Sequence, residues 1–468
     1  MALSRIWSAF IIIAISLACV KGFLLADRGN KNIFTNMVTG KAGDTIKVKQ
    51  QDSASVSTLI VSAVNTKKAD TTKGLVTIKS SNNTYLTYKI QAADGVVETC
   101  KTAVNLCLGL IGMLALFMGF LAIAERAGGI NVLSRIIGPF FSKIFPDIPK
   151  GHPAVGHMMM NFSANLLGLD NAATPFGIKA MESLQSLNPT PDKASNAQIM
   201  FLCLHASGLT LIPVSIIALR ASAKADNPLD IFIPCMIATF VATIAAMLIV
   251  SFKQKINIFQ PVILLWVGGI ASIIALLMVY LKSLDAAGVQ YFSGALSNGL
   301  ILLIFISIIL GGLYKKIDIF DAFIAGAKGG FDTAVRIIPY LVGMLVAISL
   351  LRTSGTFDVV INALKGLFAA LGADTRFVDG LPTALVKPFS GGAARGMMVD
   401  TMRAYGTDSF AGRLACILQG SSDTTFYVIA VYFGAVGVKN TRYAVGAMLL
   451  ADLVGIITAI GLCYFFFG

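Results

Sequence analysis

The chain has 468 residues, 56% hydrophobic and 13% charged, with a net charge of +13. Soluble domains carry about 25% charged residues, so this composition excludes an ordinary soluble enzyme. The positive balance fits Lys and Arg gathered in cytoplasmic loops, and no basic stripe with interleaved aromatics speaks for nucleic-acid binding.

Arg5 and the apolar run Ile6–Leu25 predict a first, uncleaved transmembrane helix, residues 1–27, interrupted by Lys21. The run is longer than the roughly 7–15 residues of a signal-peptide core. Residues 28–98 differ in kind. Asp44–Gln50, Ser57–Val64, Leu75–Lys79 and Tyr85–Ile90 are β-rich and partly alternating, with turn residues such as Ser81-Asn82-Asn83 between them. They predict a small inserted β domain on the extracytoplasmic side.

Residues 99–255 form a first repeat, with spans near 103–124, 197–219 and 229–250 and a short hairpin near 152–186. A linker helix falls within 256–290. Residues 291–468 form a second repeat, with spans near 296–313, 335–351, 411–433 and 443–466 and a hairpin near 380–405. Gly129–Phe145, Phe357–Leu371 and Asp318–Val335 are amphipathic and predict helices lying in the membrane interface. The expected fold is thus an all-α polytopic membrane protein built from two inverted repeats, each with a re-entrant hairpin and a broken helix.

Sequence offsets carry the repeat. Gly128 and Gly355 are 227 residues apart, as are Phe162 and Phe389; Ser207 and Ser421 are 214 apart, as are Thr210 and Thr424. Counting crossings from a cytoplasmic N-terminus, the linker's single passage turns the second half over. Lys253, Lys255, Lys315, Lys316, Lys439 and Arg442 then fall inside, while Arg220 and Lys224 fall outside.

The hairpins and breaks are the candidate site. A helical arm of about ten residues covers only about 15 Å, half of the hydrocarbon core. The first turn, Asn161–Pro175, reads N-F-S-A-N-L-L-G-L-D-N-A-A-T-P. Irregular polar backbone at that depth must face protein or water. The second turn places Lys387, Ser390 and Arg395 about a Gly-rich tip. L-H-A-S-G-L-T-L-I-P interrupts one span at His205, Ser207 and Gly208, and L-Q-G-S-S-D-T-T interrupts another at Gln419, Ser421, Ser422, Asp423, Thr424 and Thr425. Charges at this depth need a partner or a task; Asp170 and Asp400 are candidate partners for Lys387 and Arg395. The small residues suit helix packing as well as ligand binding. Seven cysteines lie mostly in apolar runs, without zinc or disulfide spacing.

Gly151–Ser183 and Phe377–Asp408, each followed by its broken span, resemble the nucleoside-recognition, or gate-domain, family. The first half resembles spore maturation protein A and the second resembles spore maturation protein B. The resemblance implies a substrate site made of Asn161, Ser163, Asn165, Asp170 and Asn171 on one hairpin, and Lys387, Ser390, Arg395 and Asp400 on the other. His205, Ser207 and Thr210, with Gln419, Ser421, Asp423 and Thr424, complete it from the broken helices. The expected function is a secondary transporter, not an enzyme, for a small polar or anionic solute. It needs no cofactor or metal, with sodium or a proton as coupling ion. Its partners are the lipid bilayer, the small-molecule substrate, a further copy of the chain and an envelope partner for the β insert. The alternatives are an envelope scaffold and an intramembrane enzyme acting on a lipid-linked substrate, although neither H-E-x-x-H nor G-x-S-x-G is present. The expected location is the inner (cytoplasmic) membrane.

Overall fold

The computed structural model describes residues 2–24, 33–39, 41–48, 75–79, 85–93, 95–149, 151–166, 170–210, 212–284 and 286–468. Helix α1 (Ala2–Cys19) continues through one π-helical turn (Val20–Leu24), and the short α2 (Ile33–Thr39) follows. Three strands, β1 (Lys41–Val48), β2 (Leu75–Lys79) and β3 (Tyr85–Ala93), form an antiparallel sheet in the order β1-β3-β2. The expected strand Ser57–Val64 lies outside the described residues.

The first set of helices is α3 (Val96–Arg126), α4 (Gly129–Ile144), α5 (Pro153–Leu166), α6 (Asp170–Gln185), α7 (Asn196–Ala206), α8 (Val214–Ser222) and α9 (Phe232–Gln254). Two long helices follow, α10 (Pro261–Lys282) and α11 (Ala286–Tyr314). The second set is α12 (Ile319–Thr353), α13 (Thr356–Ala370), α14 (Leu381–Val386), α15 (Gly391–Tyr405), α16 (Phe410–Gly420), α17 (Thr425–Ala435) and α18 (Ala444–Phe467). Among the described residues six segments are long and apolar enough to cross a membrane: Thr99–Arg126, Phe232–Gln254, Pro261–Lys282, Ala295–Tyr314, Phe410–Ala435 and Ala444–Phe467. The chain is an all-α polytopic membrane protein in its membrane part.

Local sequence explains the punctuation. Gly128 and Gly355 sit at matching places, just before α4 and α13, at φ +82° and +74°. Only glycine takes that left-handed conformation at little cost, so each long helix ends and an amphipathic one leaves at an angle. Ser195 starts α7 with a capping box, its hydroxyl accepting from Gln198 N–H while the Gln198 side chain accepts from Ser195 N–H. Asp318 caps α12 by accepting from Asp321 N–H at 2.9 Å. One expectation is corrected here: Asp318–Val335 and the span at 335–351 are a single helix, α12. No glycine in left-handed conformation or capping residue separates them, and Pro339 is accommodated inside the helix.

The packing is reciprocal. α3 lies along α12, and α9 lies along α18. α1 packs on α12 while α11 packs on α3. α10 stays at the periphery, where Trp266 meets Phe140 of α4 at 6.4 Å between ring centroids and most of the apolar surface faces outward.

Two polar knots mark the opposite ends of α9. At its last residue, Gln254 Nε2 donates to Asn196 O and Tyr443 Oη, both at 2.8 Å. Beside it the loop after α6 meets the loop after α17: Ala194 N–H donates to Asn440 O at 2.9 Å, and Asp192 O accepts from Lys439 and Asn440 N–H. At the other end Asp230 precedes α9 and binds Arg220 at 2.7 Å; Arg220 also binds Asp408 at 3.0 Å. Arg413 Nε adds a 2.8 Å bond to Asp230. The foot of the α5–α6 pair thus lies at one end of α9 and the foot of the α14–α15 pair at the other.

Candidate solute-binding centre

Both expected breaks are real interruptions, and they are tied to each other. α7 ends at Ala206, where the Ser207 hydroxyl donates to Leu204 O at 2.7 Å and to Thr243 Oγ1 at 3.0 Å. α16 ends at Gly420, where the Ser421 hydroxyl donates to Leu418 O at 2.9 Å. Each serine returns to the carbonyl three residues behind it and satisfies one acceptor left over at a helix end. Gly208, at φ +62°, then turns the chain away. Its missing side chain lets the other break approach: a Cβ there would lie 3.3 Å from Asp423 N. Asp423 N–H donates to Ala206 O at 2.7 Å, joining the two breaks backbone to backbone.

The first hairpin closes on this crossing through His205. Asn161 and Asn165 are one helical turn apart on α5 and so share a face. His205 Nδ1 lies 3.0 Å from Asn161 Oδ1 and 2.8 Å from Asn165 Nδ2. It accepts from Asn165 when the ring hydrogen is on Nε2, and donates to Asn161 when that hydrogen is on Nδ1. Asn161 also donates to Ala173 O at 2.6 Å, across the turn to α6. The Tyr432 ring stands edge-on to His205 at 4.8 Å between centroids. Ser163 is buried on the same helix. Asp170 and Asn171 open α6; as site residues they lie outside the described side chains.

The second hairpin grips the other break. Lys387, buried at the end of α14, donates to Leu418 O at 2.5 Å and Gln419 O at 2.8 Å, and its Nζ lies 3.5 Å from Ser421 Oγ. An ammonium on the last carbonyls of α16 complements the negative end of that helix. Ser390 caps α15 by accepting from Ala393 N–H at 3.1 Å. Thr424 leads into α17 with Oγ1 against Gly391, and Phe426 N–H donates to Pro388 O at 2.9 Å. The Asp423 carboxylate is half open, with 48% of its side chain exposed. Its Oδ1 accepts from Thr424 N–H at 2.6 Å and its Oδ2 is 3.9 Å from His205 Nε2. The buried Oε1 of Gln419 has no hydrogen-bond partner among the described residues. The Thr210 hydroxyl donates to Gly208 O at 2.9 Å, steadying the first break.

Two expected members stand elsewhere. Asp400 takes a bidentate grip from Arg352 of α12, at 2.5–2.8 Å, and the Arg352 guanidinium lies over Phe357 at 4.5 Å. This fastens α15 to α12, so Asp400 is not the counter-charge of Lys387. Arg395 sits on α15 beside Cys107 of α3.

Sequence reasoning missed Asp452, Tyr432 and Thr243. Asp452 is buried on α18 and accepts from Thr425 Oγ1 at 2.5 Å. It is the single charged residue of a 24-residue apolar helix, the signal that could have found it. A cavity of 440 Å³ lies at the α6–α7 loop, between Asn188, Lys193, Asn196 and Arg442, away from the polar centre. No group of three His, Cys, Asp or Glu among the described residues could hold a metal ion.

Comparison with known proteins adds to this geometry. The family model named Gate, described as nucleoside recognition, matches residues 107–223 and 334–439. These segments run from α3 into α8 and from α12 into the loop after α17, so each takes in one hairpin and one break. Spore maturation protein B of Bacillus subtilis (strain 168) is 47% identical over 173 residues, 37% of this chain and 96% of that protein. Spore maturation protein A of the same organism is 42% identical over 156 residues, 33% of this chain and 80% of that protein. No solved structure matches. With two relatives at 47% and 42% identity, covered over 96% and 80% of their length, the chain belongs to the Gate family of membrane proteins and joins relatives of spore maturation proteins A and B in one polypeptide.

Proposed function

We propose that the chain is a secondary transporter of the inner (cytoplasmic) membrane that binds a small polar solute where its two broken helices cross. The crossing itself carries the reading: two interrupted helices meet at their breaks, Asp423 N–H on Ala206 O, with a hairpin closing on each break. Half-helix ends and unwound carbonyls at mid-depth are the device of carriers built from inverted repeats. The hairpin feet at opposite ends of α9 and the reciprocal packing of α3 with α12 and of α9 with α18 support two inverted halves. In this reading α5–α6 and α14–α15 are re-entrant from opposite faces, the N-terminus is cytoplasmic and the β insert is extracytoplasmic. The chain does no covalent chemistry.

The open groups set the solute class. Asp423 presents a half-open carboxylate, whereas the Lys387 ammonium is spent on carbonyls. Such a centre favours a solute rich in hydroxyl or amide donors over an anion. Nucleosides have that chemistry, in keeping with the family description.

Counterflow in proteoliposomes tests this with labelled uridine and adenosine, and with inorganic phosphate as the anionic comparison. Exchange of a nucleoside by the wild type, lost in Asp423→Asn, is the expected result. Exchange of phosphate alone, or an Asp423→Asn variant as fast as the wild type, overturns it.

A further inference from the structure

We propose that Asp452 is a proton-binding site, and that the proton it takes is the one that drives solute movement. The second part rests on the transport reading above; the first does not.

The break in the second half is held from both sides by opposite charges. Lys387 sits on the carbonyl end of α16. Asp452 sits at the amide end of α17, bound to Thr425 Oγ1, the first residue of that helix. The Ser422 hydroxyl lies near the same carboxylate. A cation at a helix C-terminus and an anion at a helix N-terminus both oppose the local dipole. Together they hold residues 421–424 in place, and with them the Asp423 carboxylate that faces the open centre.

A proton acts on this clamp from one side. Adding it to a carboxylate oxygen of Asp452 removes the negative charge from the α17 end and leaves Lys387 with Asp423 as its remaining acidic neighbour. No bond is broken and no electron moves; the carboxylate becomes a carboxylic acid that can itself donate. The break then loses half of its electrostatic hold, which is what a carrier must vary between its two states. Asp423 is half open, and the hydroxyls of Ser422 and Thr425 lie on either side of it in the chain. They give a proton a polar way from the centre to the buried acid.

The surroundings favour a proton over a metal cation. The charges that reach Asp452 are those of Lys387 and Asp423, and the Cys203 thiol of α7 lies within electrostatic range. α9 has no charged residue between Phe232 and Phe252, and α11 has none at all. A sodium ion would meet the repulsive field of the Lys387 ammonium. A proton needs one acceptor and adds no bulk.

The experiment is an infrared pH titration of the full chain in lipid, reading the C=O stretch of protonated carboxyl groups. The wild type gains a band on acidification that Asp452→Asn lacks. Thr425→Val keeps the band but shifts its frequency, because one hydroxyl bond to the acid is gone. That variant decides the matter if Asp452→Asn does not fold. The same titrating spectrum in wild type and Asp452→Asn, or an unshifted band in Thr425→Val, overturns the site. In proteoliposomes an inward pH gradient then drives uridine accumulation in the wild type, and the gradient-driven part is lost in Asp452→Asn. Full accumulation by that variant refutes the coupling role. If the wild type moves none of the solutes, the transport reading falls, and the infrared result still decides whether Asp452 binds the proton.

Discussion

At the residue scale the two glycines Gly208 and Gly372 make a controlled comparison. Both are left-handed, at φ +62° and +73°. Alanine in that conformation costs about 1–2 kcal/mol at either site. Only at Gly208 does the new Cβ also press on the other break, 3.3 Å from Asp423 N; at Gly372 it meets nothing within 4 Å. Gly372→Ala is expected to lower thermal stability slightly and leave counterflow intact. Gly208→Ala is expected to lose counterflow by at least an order of magnitude, since the crossing contact must shift. Equal transport in both variants would mean that the crossing is packing alone. Asp423→Asn keeps the size of the side chain and removes its charge; in the same assay it should bind the nucleoside at least about tenfold more weakly, the worth of one hydrogen bond to a charged group.

Much of this centre was legible in the chain. Ser207 and Ser421 announced the breaks because each pairs with a glycine inside an apolar helix, and both do the same job on the carbonyl three residues back. Asn161, Asn165 and His205 were each visible as polar residues at membrane depth. Their bonding to one another was not, since it depends on how α5 leans on α7. Asp452 escaped notice because a lone Asp among Ala and Leu looks like a tolerated accident until Thr425 and Ser422 are seen beside it. Sequence alone leaves the partners of Lys387 open between Asp170 and Asp400 for a related reason. Charge matching suggested Asp400, but backbone carbonyls at a helix end compete well for an ammonium, and Asp400 was already held by Arg352.

At the element scale a charged knot ties the α8–α9 connection to the α15–α16 connection and so joins the two halves. Arg220 is fully buried and binds Asp230, Asp408, Thr407 O and Asn227 O. Arg413 shares Asp230 and also donates to Asp408 O. Removing one member of a buried pair strands the other and costs about 3–5 kcal/mol. Arg220→Met should therefore lower the unfolding temperature in detergent clearly. Arg376→Met, which breaks an exposed pair with Asp374, should cost no more than about 1 kcal/mol. Similar melting of the two variants would show that the knot carries no stability. Sequence alone placed Arg220 as an awkward cation on the outer side, because its partner Asp408 is 188 residues away.

At the scale of the whole molecule, the two ends of α9 must open to opposite compartments if the halves are inverted. Lys224 and Lys439 are exposed at those two ends. In a variant without native cysteines, Lys224→Cys should react with an impermeant maleimide added outside intact cells, and Lys439→Cys only after permeabilisation. Labelling of both from one side would leave no inverted arrangement to support.

The peripheral helix α10 carries a consequence of its own. It contributes almost nothing to the interior, with 6% of its apolar window covered. Yet one passage through a sheet of lipid reverses the heading of everything that comes after it. Its contribution is largely one of parity, and parity is indifferent to spelling: most of the twenty-two residues of α10 serve it equally well, Ile263, Trp266 and Leu281 excepted, which touch the rest of the molecule. Joined this way, the two parts are made in a one-to-one ratio by every pass of the ribosome.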